Sequence, residues 1–362
     1  MYFSKISDIS FEKIAEQGDE SAHKLVFVAE KSAIYAQELI DGFNAHHIKF
    51  FGGIYPTIFS DKQNYEEGFL IITLPPLEYI LLLSALDDST FDTTFSLENI
   101  HSAILLTDGL MGQTDAFLRK VYSKFGNEMN IVGGGAGFMT LEQQPCLFTN
   151  DGIFQNGGIL AFFKNQSKIG VKHGWEVFDG PFIATSTEKN VIKELNWRPA
   201  FEVYQEAIES NSEHRIHTGN FFDIAKIFPF GIYKEGTEFI VRDPFILNDD
   251  GSITCISEVP ENSTLQILTG DPDTLINAAK EVAEMTVSSD SDDSCLLVFD
   301  CITRVMYLGQ RFEDELVAMK NVFKNDKFKI RGVATLGEIA SSGMGFVEFY
   351  NKTIVACSLN TK

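Results

Sequence analysis

A thiol and a guanidinium stand three residues apart in Phe299-Asp-Cys-Ile-Thr-Arg304, just past the apolar run 295–299. Ligand sites of α/β folds form where buried strands end. There a cation lowers the pKa of a nearby thiol and favours the thiolate, and a guanidinium fork matches a carboxylate in bidentate fashion. Cys301 thus reads either as a reactive thiol or as a small packed hydrophobe, and Arg304 either as a carboxylate binder or as a surface residue. A cysteine nucleophile, in a transferase or amidohydrolase-like reaction, needs a general base beside it. The sequence nominates only His173 and His217 for that role, both distant in the chain.

The second candidate is the run Gly133-Gly-Gly-Ala-Gly137. No Gly-Lys-Ser/Thr follows it, and Phe138 stands at the third glycine position of a dinucleotide fingerprint, so neither phosphate motif is present. It reads as backbone that needs positive φ and close approach, or as bare N–H groups of Gly134 and Gly135 offered to a ligand. The acidic loop Asp290, Asp292, Asp293 lacks the glycine and distal glutamate of a calcium loop and reads as a solvated linker. The seven histidines stand nowhere at metal spacing from another ligand type, so no metal and no cofactor is expected. There is no Gly-x-Ser-x-Gly elbow and no His-Glu-x-x-His. The five cysteines, Cys146, Cys255, Cys295, Cys301 and Cys357, are odd in number and scattered, which points to free thiols in a reducing compartment.

Three stretches share one order of elements that would position these residues. An apolar strand (25–30, 103–109 or 295–301) leads into an amphipathic helix (34–43, 114–125 or 312–323). A glycine-bearing strand (48–54, 130–136 or 330–334) and a returning strand (68–74, 158–163 or 353–357) complete each unit. In the second helix Phe117, Leu118, Val121, Tyr122 and Phe125 share a face. Near-continuous apolar opening strands predict strands covered on both sides. Turn signals such as Asn150-Asp-Gly predict antiparallel returns, hence mixed sheets. The expected class is α/β (α+β): two domains of mixed β-sheets flanked by helices, built from repeated strand-helix-strand-hairpin units. A helix over 199–208 is followed by the polar stretch 209–214, which places the boundary there and gives domains 24–210 and 211–362. Beyond it come a hairpin around Asn248-Asp-Asp-Gly251 and a helix over 273–285.

The 362 residues suit about two domains. With 29 Lys+Arg against 51 Asp+Glu the net charge is −22, so a nucleic-acid partner is not expected. No apolar run reaches the ~18 residues of a membrane span, and the N-terminus lacks a signal-peptide pattern. The expected location is cytoplasmic.

Several segments together resemble the FIST family, named for F-box proteins and intracellular signal transduction. Phe51-Gly-Gly-Ile-Tyr-Pro56, Val132-Gly-Gly-Gly-Ala-Gly137, His173-Gly-Trp175 and Glu194-Leu-Asn-Trp-Arg-Pro-Ala200 are similar to its N-terminal domain. Phe228-Pro-Phe-Gly231, Val241-Arg-Asp-Pro244, Phe299-Asp-Cys-Ile-Thr-Arg304, Leu336-Gly-Glu-Ile339 and Asn351-Lys-Thr353 are similar to its C-terminal domain. The resemblance spans nearly the whole chain from about residue 24. It departs at Asp300 and Thr303, where the family more often has a small residue and a glycine.

The resemblance implies a bacterial sensory protein that binds a small, amino-acid-like ligand and has no chemistry of its own. Its output would pass to a separate signalling protein, a histidine kinase, a chemotaxis receptor or a cyclic-dinucleotide enzyme. Carried over by position, Arg242, Cys301, Arg304, Glu338 and Asn351 become binding candidates beside Gly134 and Gly135. Arg304 and Arg242 would pair the ligand carboxylate, Glu338 would take an ammonium group and Asn351 would orient polar atoms. The alternatives are a Cys301-dependent enzyme and a protein-interaction scaffold.

Overall fold

Gly52, Gly133 and Gly332 hold equivalent places in three parallel strand pairs. A Cβ on them would fall 1.8, 1.7 and 2.3 Å from the carbonyl oxygens of Val26, Leu105 and Val298 on the neighbouring strand, so no larger residue fits. The pairs are Lys24–Ala29 with Phe50–Tyr55, Ser102–Asp108 with Asn130–Ala136, and Ser294–Cys301 with Lys329–Thr335. The computed structural model describes residues 1–362 except 19–20, 93–94, 127–128, 234–238, 288–293, 324, 326, 342–346 and 361–362. The acidic loop at Asp290, Asp292 and Asp293 lies outside the described residues.

Each parallel pair is crossed by helices, as a parallel connection requires: Ala36–Ala45, Thr114–Phe125, and Ile302–Leu308 with Phe312–Val322. The second helix buries Phe117, Leu118, Val121 and Phe125 and ends where the Gly126 amide bonds to the Tyr122 carbonyl. Tyr122, on the same predicted face, is half-buried. Each opening strand then takes an antiparallel return on its other side: Phe69–Thr73, Gly157–Phe163 and Ile354–Asn360. The threefold repetition expected from the sequence is therefore present, and each sheet is mixed.

What local patterning does not reveal is how the units interlock. After its second parallel strand, each unit sends its next strand into another unit's sheet. Thr57–Ser60 pairs with Lys329–Thr335, Leu147–Thr149 with Phe50–Tyr55, and Glu338–Ser341 with Asn130–Ala136. First lends to third, second to first and third to second, closing a ring of three six-stranded sheets. One apolar cluster joins them, with Phe27, Leu106 and Phe299 contributed by the three opening strands.

A fourth, eight-stranded sheet occupies the middle of the chain, and all its pairings are antiparallel. Its long strand Glu176–Glu188 pairs with Thr264–Thr269, and Lys168–Lys172 pairs with the return strand Ile354–Asn360. Strand pairing thus runs across residue 210. The helix Ala200–Asn211 covers this sheet, burying Val203, Tyr204 and Ile208. The hairpin expected at 248–251 forms between Pro244–Leu247 and Ile253–Cys255.

Candidate functional site

Arg304 follows the third opening strand by three residues, on the helix Ile302–Leu308, and has no exposed surface. Both terminal nitrogens of its fork are met from inside the protein. Nη1 donates to the His173 carbonyl at 2.5 Å, and Nη2 to the Leu275 carbonyl at 3.1 Å and to Glu315 Oε2 at 2.8 Å. Nε lies 3.2 Å from Asp300 Oδ1. Burial alone would depress this guanidinium, but Glu315 and Asp300 outweigh it and hold the group above its ordinary value. Asp300 is pushed well up, first by burial and then by the charge of Glu315. Its Oδ2 and Glu315 Oε1 are both buried without a donor among the described residues. A carboxyl proton on Asp300 satisfies both.

Next to this triad runs an unbroken chain of hydrogen bonds. Thr335 Oγ lies 3.1 Å from the Asp300 carbonyl and 2.7 Å from Glu338 Oε1. Glu338 Oε2 accepts from the Thr353 amide at 3.2 Å, Thr353 Oγ donates to the Asn351 carbonyl, and Asn351 Oδ1 accepts from Ser257 Oγ at 3.0 Å. Thr335 has a single hydroxyl proton. Given to Asp300, it leaves Glu338 to donate, which agrees with burial pushing that carboxyl up to about 8.

Cys301 sits beside Glu338, its Sγ 3.2 Å from Thr303 Oγ1. Of the two readings of Cys301, its surroundings favour the packed thiol. Burial raises the thiol, Glu338 raises it further, and the guanidinium of Arg304 is turned to the two carboxylates. All five cysteines are buried. The ring nitrogen His173 Nδ1 accepts from the Trp175 amide, and His217 caps a short helical turn. A second buried ion pair, Lys352 with Asp243 at 3.3 Å, lies nearby; the Lys352 ammonium also stands 5.1 Å from the Trp175 ring centre.

Of the two backbone reasons expected for the glycine run, close approach rather than positive φ holds at Gly134 and Gly135. Only Gly137 has positive φ, at 150°. Gly134 and Gly135 are needed for space: a Cβ would meet Thr335 Cγ2 at 2.5 Å in the first case and Gly109 Cα at 2.7 Å in the second. Their strand is the seam between the second and third units.

Arg242 contrasts with Arg304. It ends the strand Ile240–Arg242 and is 5% exposed. Nε donates to the Glu258 carbonyl at 2.7 Å, and Nη1 to the carbonyls of Val241 and Phe349, both at 3.1 Å. No carboxylate among the described residues forms an ion pair with it, and burial lowers its pKa. Its charge stands behind a cleft of about 290 Å³ between the 109–115 loop and residues 256–258 of the fourth sheet, with Phe349 and Lys189 in the wall. The helix Thr114–Phe125 begins here. Its N-cap residue Gln113 makes no side-chain capping bond, and its first residues, Thr114 and Asp115, line the cleft. Ser257, also in the wall, leads through Asn351 to Glu338 and Arg304.

The sequence candidates therefore fall into two groups. Arg242 and Asn351 stand one layer behind the cleft, bonded to its wall residues Glu258, Phe349 and Ser257, while Cys301, Arg304, Glu338, Gly134 and Gly135 form the interior beyond them. Sequence reasoning missed Asp115, Lys189 and Glu258 in the cleft and Glu315 in the triad; each looks like an ordinary surface charge. Asp243 and Lys352 lay inside quoted motifs without being singled out. Two other hollows, of about 520 Å³ along Arg119 and Lys120 and about 310 Å³ at Asp179 and Arg198, contain none of the candidates. Among the described residues no cluster of acidic, histidine or cysteine side chains suits a metal ion, and no helix is long and apolar enough to cross a membrane.

Residues 4–198 match the family model of the FIST N domain, and residues 200–341 that of the FIST C domain, in that order. No curated protein matches the chain.

Proposed function

The chain belongs to the FIST family, and from that premise we propose that it is a small-ligand-binding sensory protein of intracellular signal transduction, with an amino-acid-like ligand. FIST domains are generally regarded as sensory signal-transduction domains. The ligand sits in the cleft at Arg242, and the signal passes to a separate signalling protein such as a histidine kinase, a chemotaxis receptor or a cyclic-dinucleotide enzyme.

One observation carries this reading: a nine-tenths buried guanidinium with no carboxylate partner among the described residues, set against a cleft of about 290 Å³. A desolvated cation with no carboxylate in contact is costly, and a ligand carboxylate supplies that contact. The N-terminus of the 114–125 helix favours the same anionic group. Asp115, half-buried in the wall and in no ion pair, faces the ammonium. Asn351 orients the wall through Ser257.

Calorimetry against L-amino acids at millimolar concentration tests the reading. At least one is expected to bind, with Arg242→Gln losing about 2–5 kcal/mol of affinity, as for one partner of a desolvated charge pair. Wild-type affinity in Arg242→Gln, or no binding by any amino acid, overturns it.

A further inference from the structure

The charges of the cleft do not balance, and the imbalance specifies more than an amino acid. Three charged side chains line it: Asp115, Lys189 and Glu258. Glu258 is answered by Arg119, whose Nη1 lies 3.7 Å from Oε2. Lys189 forms no ion pair among the described residues, and neither does Asp115. With Arg242 behind the wall, the charges in no ion pair among the described residues are two cations and one anion, although Asp115 and, further off, Glu348 act on Arg242 through space. The chemical complement is a ligand with two anionic groups and one cationic group.

Lys189 is held at the site by its backbone. It occupies the turn between the strands Glu176–Glu188 and Val191–Leu195 at φ 54°, a conformation uncommon for a side-chain-bearing residue. Its carbonyl accepts from the Val259 amide at 3.0 Å, and the carbonyl of the next residue, Asn190, accepts from the Cys255 amide at 2.8 Å. These bonds tie the turn to the 255–259 segment, which forms one wall of the cleft, so the lysine stem starts at the rim whatever its rotamer.

We propose that Lys189 is a specificity residue that selects acidic amino acids, pairing the side-chain carboxylate while Arg242 takes the α-carboxylate and Asp115 the ammonium. This rests on the amino-acid reading of the cleft and adds the charge class of the ligand. Lys189 touches no catalytic group and is exposed, so its replacement leaves the fold intact.

Calorimetry with L-glutamate against L-glutamine, and L-aspartate against L-asparagine, isolates the charge, since each pair differs little in shape. The acidic member is expected to bind about two- to fivefold more tightly, the range of an exposed ion pair. Lys189→Gln should erase that preference and leave the affinity for the amide unchanged. Equal or tighter binding of the amides overturns the role of Lys189 and leaves the amino-acid reading standing. A preference that survives Lys189→Gln has the same consequence. Failure of all four to bind, at millimolar concentration, overturns the role of Lys189, and failure of every L-amino acid overturns the amino-acid reading with it.

Discussion

Two buried arginines divide the molecule. Arg304 is met by two carbonyls and is ion-paired with Asp300 and Glu315, whereas Arg242 has three carbonyl bonds and no ion pair among the described residues, the charges of Asp115, Glu348 and Glu258 acting on it only from a distance. The first is what a fold does with a cation it keeps; the second is what a site does with a cation meant for something else. Breaking a buried pair by removing one partner leaves the other charge stranded, so Arg304 belongs to stability. An arginine without an ion partner is already stranded, so its removal relieves as well as costs. The same residue type thus takes opposite roles according to which carboxylates lie within reach.

The largest test of this contrast is truncation. Arg304→Ala is expected to lose about 3–5 kcal/mol in denaturant unfolding, because Asp300 and Glu315 are left facing each other without their cation. Near-wild-type stability would return Arg304 to the ligand's side of the comparison. Next, Gly134→Val should cost about 1–3 kcal/mol through overpacking against Thr335 at the seam between the units. An unchanged melting temperature would mean that the seam yields freely.

Glu338 gives a smaller, pH-dependent effect. Its native pKa of about 8 lies above the ordinary ~4.3 of an unfolded glutamate. The folded state therefore holds a proton that the unfolded state releases, and the stabilisation is full below about pH 4 and lost as pH rises through 8. Unfolding free energy should fall across that window by at most about 1.4 kcal/mol per pH unit from this group. Glu338→Gln keeps a donor for Thr335 and an acceptor for the Thr353 amide, so it should flatten the slope with little loss at pH 6. A slope unaltered by the variant would place the proton elsewhere in the cluster.

Much of the fold was legible because each unit declares itself locally. The apolar opening strand, the face of Phe117, Leu118, Val121 and Phe125, and the glycine in each second strand are all short-range signals. The exchange of strands around the ring was not legible, since Thr57–Ser60 reads the same whether it pairs with its own unit or with Lys329–Thr335. Strand pattern encodes burial, not partner. The site was legible in position but not in role. Arg242 and Arg304 stand out equally in a chain with only seven arginines. What separates them is Glu315, eleven residues past Arg304 on another helix, and nothing in its spacing announces a buried acid. Lys189 and Asp115 were invisible for the converse reason: a wall charge in a cleft between two regions resembles any other surface charge until the regions meet.

The most direct test compares the two guanidinium groups in one sample. With only seven arginines, the arginine side-chain Nε–H signals of the ¹⁵N-labelled protein can be assigned by single substitutions. On saturation with an amino acid found by calorimetry, the Arg242 Nε–H signal is expected to shift strongly while that of Arg304 stays in place. A shift at Arg304 with Arg242 unmoved would reverse the two roles and contradict the account.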